Sequence, residues 1–400
     1  MSLKFEISKI KNFLIYALLF LASMNFQAKF FYFVFGATIV MALLGRYFIM
    51  DYGAFIYLTL GVLMAIYNNN EGILSMIRCL APFCFYLVGI NMATDRGKDL
   101  IKDEEFQTVE NQSFKLLLVI ASGSFVHYLI NYIYNFGHQL GRNTNDIWSG
   151  EPMAATAQNT LACLMLGLAT AMIFLPKKKW HRVVGVLSLC AILLYNLVLA
   201  GRTIIVISVC LLIAGMIYKR VNRLSKLSNT FFYAFLCLIV VFLIFTFNIA
   251  NLREYIINSE LFDRFDNSWI NMFNDGSRTD TKLNFLKDAI HYPIGGLNLR
   301  KKYGYAHDLL LDGYDEYGFV ALVLMIAMLA VGLKNVIKNI RYTSFSHEFK
   351  LALLLMYISV LLDFTVEPIL AGMPWLFSCY SLINGCVVGM NRSYYKKEYK

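Results

Sequence analysis

The sequence predicts an all-α polytopic membrane protein of about twelve transmembrane helices with one long extracytoplasmic loop. Three observations predict it. Of 400 residues, 58% are hydrophobic and 16% charged, whereas a soluble domain carries about 25% charged residues. Apolar runs close to the ~20 residues needed to cross a bilayer recur along the chain. A single long polar interval, Asn251 to Gly318, interrupts them in the second half.

Taken in order, the first spans read at about 12–24, 30–49, 53–67, 73–93 and 114–134. The next read at about 153–175, 183–200, 204–218 and 230–249, and the last at about 318–337, 350–370 and 375–391. Loop charge orients them. Counting from inside, the cytoplasmic connections hold Arg96, Lys98 and Lys102, then Lys177 to Lys179 with Arg182, then Lys219, Arg220, Arg223 and Lys226. Lys334, Lys338 and Arg341 follow, and the tail adds Arg392, Lys396, Lys397 and Lys400. The other side keeps Lys29, Arg142 and Arg202, with Arg78 just inside a span. This bias predicts both termini in the cytoplasm and Asn251–Gly318 outside, as well as a smaller outward loop from Asn135 to Pro152. The net charge of +10 is then a topogenic signal and predicts no nucleic-acid partner.

The eight cysteines all fall in apolar segments and form no CxxC pair, so they read as small buried hydrophobes. No cleavable signal peptide and no internal repeat is evident, which predicts one integral membrane domain over 1–400. The chemistry is expected in the outward loop at 251–317, between the ninth and tenth spans.

Four places outside the apolar pattern need a reason. Arg202 sits in the tight outward turn Ala200-Gly201-Arg202-Thr203, between segments with no other charge. It is either an interfacial Arg reaching for water or an anion contact, because guanidinium grips phosphate oxygens in bidentate fashion. Arg278 stands where a helix should begin, since Leu283, Leu286, Ala289 and Ile290 trace one apolar face that Tyr292-Pro293 and Gly295-Gly296 end. It is a surface Arg paired with Asp275 or Asp280, or an anion ligand at a helix amino terminus. His307 comes just before the chain re-enters the membrane. It is a structural loop histidine, or a neutral imidazole that takes a proton from a sugar hydroxyl. Asp363 and Glu367, at i and i+4 on the eleventh span, share a helix face and predict a cationic partner such as Arg202 or Arg78. A structural ion pair and a substrate-facing carboxylate both satisfy that spacing.

No metal-ligand set and no phosphate-loop motif appears in the sequence, and Asp263-Arg264-Phe265-Asp266 lacks the DxD spacing of many nucleotide-sugar enzymes. A donor activated by protein cations fits better, so no cofactor is expected.

At Ala200-Gly201-Arg202-Thr203, at Gly276-Ser277-Arg278 through His291-Tyr292-Pro293-Ile294-Gly295-Gly296, and at Ala306-His307 through Gly318, the chain resembles the O-antigen ligase and O-antigen polymerase membrane proteins. The order of these motifs and the topology of essentially the whole chain carry the resemblance. Tyr292 is inserted in the family's His-Pro-(Ile/Leu)-Gly turn, Asp308 stands where Asn is usual, and Ala321 where a final Gly is usual. The resemblance implies a C-type membrane glycosyltransferase fold in the bacterial cytoplasmic membrane. It implies an undecaprenyl-diphosphate-linked glycan donor, inversion at the anomeric carbon and no metal. Carried over by position, Arg202 and Arg278 would hold the diphosphate and His307 would be the base. Arg264, Asp308, Asp363 and Glu367 are the further residues expected to contact substrate. Flippase and chain-length regulator proteins would be partners. The expected activity is polymerisation of lipid-linked repeat units into O-antigen, capsule or exopolysaccharide. Ligase-type transfer of a finished glycan, or a flippase, are the rival readings. A flippase should line a midplane cavity with charge and keep short outer loops.

Overall fold

The computed structural model describes residues 2–44, 49–94, 103–136, 143–176, 178–222 and 278–398. The ninth span at about 230–249, Cys237, and the outward loop from Asn251 to Ser277 with Arg264 all lie outside the described residues. The rest is built of helices: α1 (Ser2–Ser23), α2 (Phe30–Leu44), α3 (Tyr52–Tyr67), α4 (Ile73–Arg78), α5 (Ala81–Ala93), α6 (Asp103–Asn135), α7 (Ala155–Phe174), α8 (Lys179–Leu199) and α9 (Arg202–Val221). After the undescribed stretch come α10 (Arg278–Asp288), α11 (Asn298–Tyr303), α12 (Leu309–Tyr342), α13 (His347–Phe364), α14 (Ile369–Gly372) and α15 (Pro374–Glu398). A small antiparallel hairpin, β1 (Asn143–Asn145) with β2 (Pro152–Ala154), pairs Thr144 with Met153 between α6 and α7.

Six helical segments among the described residues are long and apolar enough to cross a bilayer: Ile73–Ala93, Thr108–Asn135, Ala155–Phe174, Lys179–Leu199, Arg202–Val221 and Leu309–Arg341. Ile10–Ser23, Phe30–Leu43 and Tyr52–Tyr67 are apolar but shorter. The chain is therefore an all-α protein with membrane-spanning character. The fourth span is broken, since α4 stops at Arg78 and α5 restarts at Ala81 with Pro82 in its first turn. Such a ring lacks a donor and suits only a helix start. The tenth begins at Leu309, ahead of the expected 318, and bends at Gly318.

Burial sorts the helices. Nearly every residue of α5 is buried, and it lies against α15, α2 and α3. Small residues permit that approach: a Cβ on Gly389 would meet the Ile90 carbonyl at 2.6 Å, and Gly385, one turn earlier, presses on Tyr86. This small-xxx-small pattern lets helix backbones pack closely where lipid supplies no hydrophobic drive. A second pair, α7 on α13, closes over Gly167, whose Cβ would meet Met356 Cα at 2.6 Å. By contrast α8, α9 and α12 turn apolar side chains outward, among them Leu187, Leu194, Val206, Ile217, Phe319 and Ile326. Exposed apolar stripes on lipid-length helices mark a lipid-facing rim. Cys79, Cys84, Cys163, Cys379 and Cys386 are buried as expected, but Cys190 is exposed on α8 and Cys210 is half-buried, because both lie on rim helices.

Candidate functional site

The connections expected to face outward gather at one end of the bundle. Tyr67 Oη donates to the Ile294 carbonyl (2.6 Å), Asn68 reaches Tyr317 Oη, and Arg278 and Lys282 reach carbonyls at 365 and 366. The segment from Arg278 to Gly318 holds its own small core of Phe285, Leu299, Ala306 and Tyr314, apart from the main one.

Two stretches singled out by sequence interlock here, backbone on backbone. Gly318 adopts φ +78° and Gly295 φ +87°, in the left-handed half of the map that favours glycine. A Cβ on Gly318 would lie 2.7 Å from the Ile294 carbonyl, and one on Gly295 2.6 Å from Gly318 N. Phe319 N donates to the Pro293 carbonyl (2.8 Å) and Leu297 N to the Asp315 carbonyl (2.9 Å). The Asp315 carboxylate then accepts from Leu299 N (2.8 Å) and Arg300 N (3.0 Å), which starts α11. Glycine at both positions is thus a steric requirement of the crossing.

His307 sits on a turn this lock holds in place. Its φ is +54°, a conformation costly for a side chain with a Cβ and sustained only when its surroundings over-determine it. Asp312 supplies the constraint: one carboxylate oxygen accepts from Ala306 N (2.9 Å) and the other from Asp308 N (3.0 Å), bracketing the histidine. Asp308 caps α12 by accepting from Leu310 N and Leu311 N. The half-buried His307 ring has Nδ1 buried with no hydrogen-bond partner among the described residues. Burial, and then the Arg278 and Lys282 charges, lower its pKa to about 4. The imidazole is therefore neutral at physiological pH, with lone-pair nitrogen free to accept.

Arg278 and Lys282, one turn apart on α10, both point at the end of α13. Arg278 Nη1 donates to the Val366 carbonyl (2.8 Å) and lies 3.8 Å from Glu367 Oε1. Lys282 Nζ reaches the Thr365 carbonyl (2.5 Å) and Asp308 Oδ2 (3.4 Å). Cations favour a helix carboxyl end, where carbonyls lack intrahelical donors. Behind them Asp363 and Glu367 are only 1% and 2% exposed.

Two expectations are corrected here. The helix bearing Asp363 ends at Phe364, so Glu367 stands on the following turn, although its N–H still donates to the Asp363 carbonyl (3.1 Å). The cation paired with Glu367 is Arg278, not Arg202 or Arg78, because α10 folds across the end of α13. Arg78 instead lies over the Phe31 ring at 4.8 Å. The apolar face expected here turns outward. Phe285 is the residue α10 buries, while Leu286 and Ile290 are 58% and 84% exposed. Sequence periodicity marks an apolar stripe without saying whether core or lipid covers it.

Arg202 opens α9 and is half-buried. Its turn is set by Ala200 at φ +51° and by Gly201, against which Asn159 and Asn196 press so closely that a Cβ has no room. Both asparagine side chains are buried with no hydrogen-bond partner among the described residues. Asn159 belongs to the first turns of α7, which also place Thr156 beside Glu367 and Thr160 beside Asp363. The structure thus gathers Arg278, His307, Asp308, Asp363 and Glu367 directly. Arg202 joins the same end through α7, which packs on both α9 and α13. Sequence reading missed Lys282, Thr156, Asn159 and Asn196. Only Lys282 left a signal, at i+4 from Arg278 on the same helix face.

Chemically, the arrangement offers fixed cations for an anion, a neutral nitrogen beside them for a proton, and a buried carboxyl behind. Comparison with models of known protein families and with curated proteins gives no match.

Proposed function

We propose that the chain is a polysaccharide polymerase of the bacterial cytoplasmic membrane, joining polyprenyl-diphosphate-linked repeat units into O-antigen, capsule or exopolysaccharide. The observation that carries this reading is His307, neutral and strained on a locked turn, within the field of Arg278 and Lys282. In the proposed step the acceptor hydroxyl oxygen attacks the anomeric carbon of the donor glycan and its proton passes to a His307 nitrogen. The bond from the anomeric carbon to the phosphate oxygen breaks, and its electron pair leaves with the polyprenyl diphosphate. Arg278, Lys282 and Arg202 hold that diphosphate and offset the charge growing on it. A pKa near 4 makes a weak base, but two of its causes are cations. A bound diphosphate offsets these two charges, while burial, the largest cause, remains, so basicity rises in part when the donor is seated.

The test is glycan lengthening by purified protein with a lipid-linked repeat unit in nanodiscs, without a membrane gradient. Wild type should extend the glycan. Arg278→Ala and Arg278→Lys should both lose about tenfold to a hundredfold, since an ammonium cannot reproduce the guanidinium fork. No chain growth by wild type would overturn the reading, and full growth by Arg278→Ala would remove that residue from the site.

A further inference from the structure

A cavity of about 510 Å³ opens at the same end of the bundle, and neither Arg278 nor His307 lines it. Its walls come from Tyr67 at the end of α3, Arg78 on α4, Arg300 on α11, Glu316 and Tyr317 on α12, and Phe377 on α15. The size falls within the range of small-ligand sites. The segment 365–372 borders both places: its start receives Arg278 and Lys282, and Leu370 and Ala371 near its end line the cavity.

Charge in the cavity is unbalanced, with two guanidinium groups against one carboxylate. Arg300 Nη2 pairs with Glu316 at 3.0 Å, its guanidinium stacks 4.3 Å from the Tyr305 ring, and its Nε is buried with no hydrogen-bond partner among the described residues. No carboxylate among the described residues pairs with Arg78. An arginine at the edge of a lipid-length segment is costly unless something polar meets it. On α4 the exposed Leu74 stands at i and Arg78 at i+4, so one helix face offers an apolar strip that ends in a cation. Such a strip matches a ligand with an acyl or prenyl chain and an anionic head.

We propose that this cavity is a second lipid-anion site: it takes the phosphate-bearing head of a membrane lipid against Arg78 and Arg300, with the tail leaving along Ile73 and Leu74. Under the polymerase reading, on which this assignment rests, the occupant is the acceptor-side polyprenyl diphosphate. Two lipid-linked substrates then sit on either end of the 365–372 segment, the donor at Arg278 and the acceptor at Arg78. The aromatic rings of Tyr67 and Tyr317, 5.9 Å apart and edge to face, give the acceptor sugars a stacking wall.

Calorimetric titration of the full-length protein in neutral-lipid nanodiscs with farnesyl diphosphate tests this. Wild type should show two binding events, and Arg78→Ala should weaken one at least tenfold while the Arg278-dependent event persists. That surviving event doubles as the control for folding. An unchanged titration for Arg78→Ala would overturn the site. A parallel titration in nanodiscs containing phosphatidylglycerol separates the two sources of the head group. Undiminished farnesyl diphosphate binding supports the acceptor assignment. Equal competition by phosphatidylglycerol overturns that assignment in favour of a phospholipid head. Failure here is separable from failure of the polymerase reading. Wild-type chain growth by Arg78→Ala with an unchanged titration sinks only this site. Absent growth by wild type with Arg78-dependent binding intact sinks the polymerase reading and its acceptor assignment, and leaves the lipid-anion site standing.

Discussion

Two histidines stand at the same end of the molecule, and their surroundings are opposite. His127, on α6, is fully buried with Nε2 2.6 Å from Asp146 Oδ1. Asp146 also receives Ser149 N (2.9 Å), Ser149 Oγ (3.0 Å) and Asn131 Nδ2 (3.3 Å), and Asn131 continues through Gln158 to Thr144 on β1. Burial alone would raise the Asp146 carboxyl, but His127 and the Ser149 donors outweigh it and bring the pKa down to about 2. His307 is half-buried, faces two cations, has no carboxylate partner among the described residues, and occupies a strained turn. Nδ1 of each ring lacks a partner among the described residues, so that feature does not separate them. The carboxylate does. A histidine wired through a carboxylate into a hydrogen-bond network fixes the β1–β2 hairpin to α6, whereas one held neutral beside two cations is poised to act on something not yet present.

The largest expected effect breaks or sustains that contrast directly. His307→Asn should lower glycan lengthening about 10²–10⁴-fold with normal expression, the usual weight of acid–base catalysis. His127→Asn should leave the rate per folded molecule within a few-fold of wild type. Equal losses in the two variants would erase the distinction, and a fully active His307→Asn would move the base elsewhere.

Next in size is stability. Asp146→Ala strips the partner from a buried histidine and should cost about 3 kcal/mol, read as a lowered midpoint in thermal unfolding of the detergent-solubilised protein. Asp308→Ala, which loses a helix cap on α12, should cost nearer 1 kcal/mol. If Asp308→Ala proves the more damaging, the outward hairpin is not the structural region of the pair.

The smallest effect is a pH window. The folded pKa of His307 is lowered to about 4 from the ordinary value of 6.5, by burial first and then by Arg278 and Lys282. Above the unfolded value both states hold the ring neutral, and stability does not change on its account. As pH falls from the unfolded toward the folded value, the unfolded chain takes up a proton the folded one refuses, so stability declines across that interval. His307→Asn should flatten this decline. Unchanged slopes in wild type and variant would mean that the ring titrates normally.

How much of this was legible beforehand depends on the range of the interaction involved. Lipid-length runs, the cationic bias of alternate loops, and glycines at 295 and 318 are local properties, so the all-α membrane character and the pieces of the site could be read from the residues. Arg278 at the start of a helix and His307 just before re-entry were likewise readable, since capping, turns and i, i+4 spacing depend on neighbours in the chain. The partners were not. Glu367 with Arg278, Lys282 with the Thr365 carbonyl, Asn159 against Gly201, and His127 with Asp146 join residues whose meeting depends on how each helix is rotated. An apolar run bounded by lipid on one side and helices on the other has hydrophobic residues all round. Its sequence specifies that it spans without specifying which face turns inward. Close packing through Gly167, Gly385 and Gly389 chose those rotations. They in turn decided which charges meet and where the 510 Å³ cavity opens.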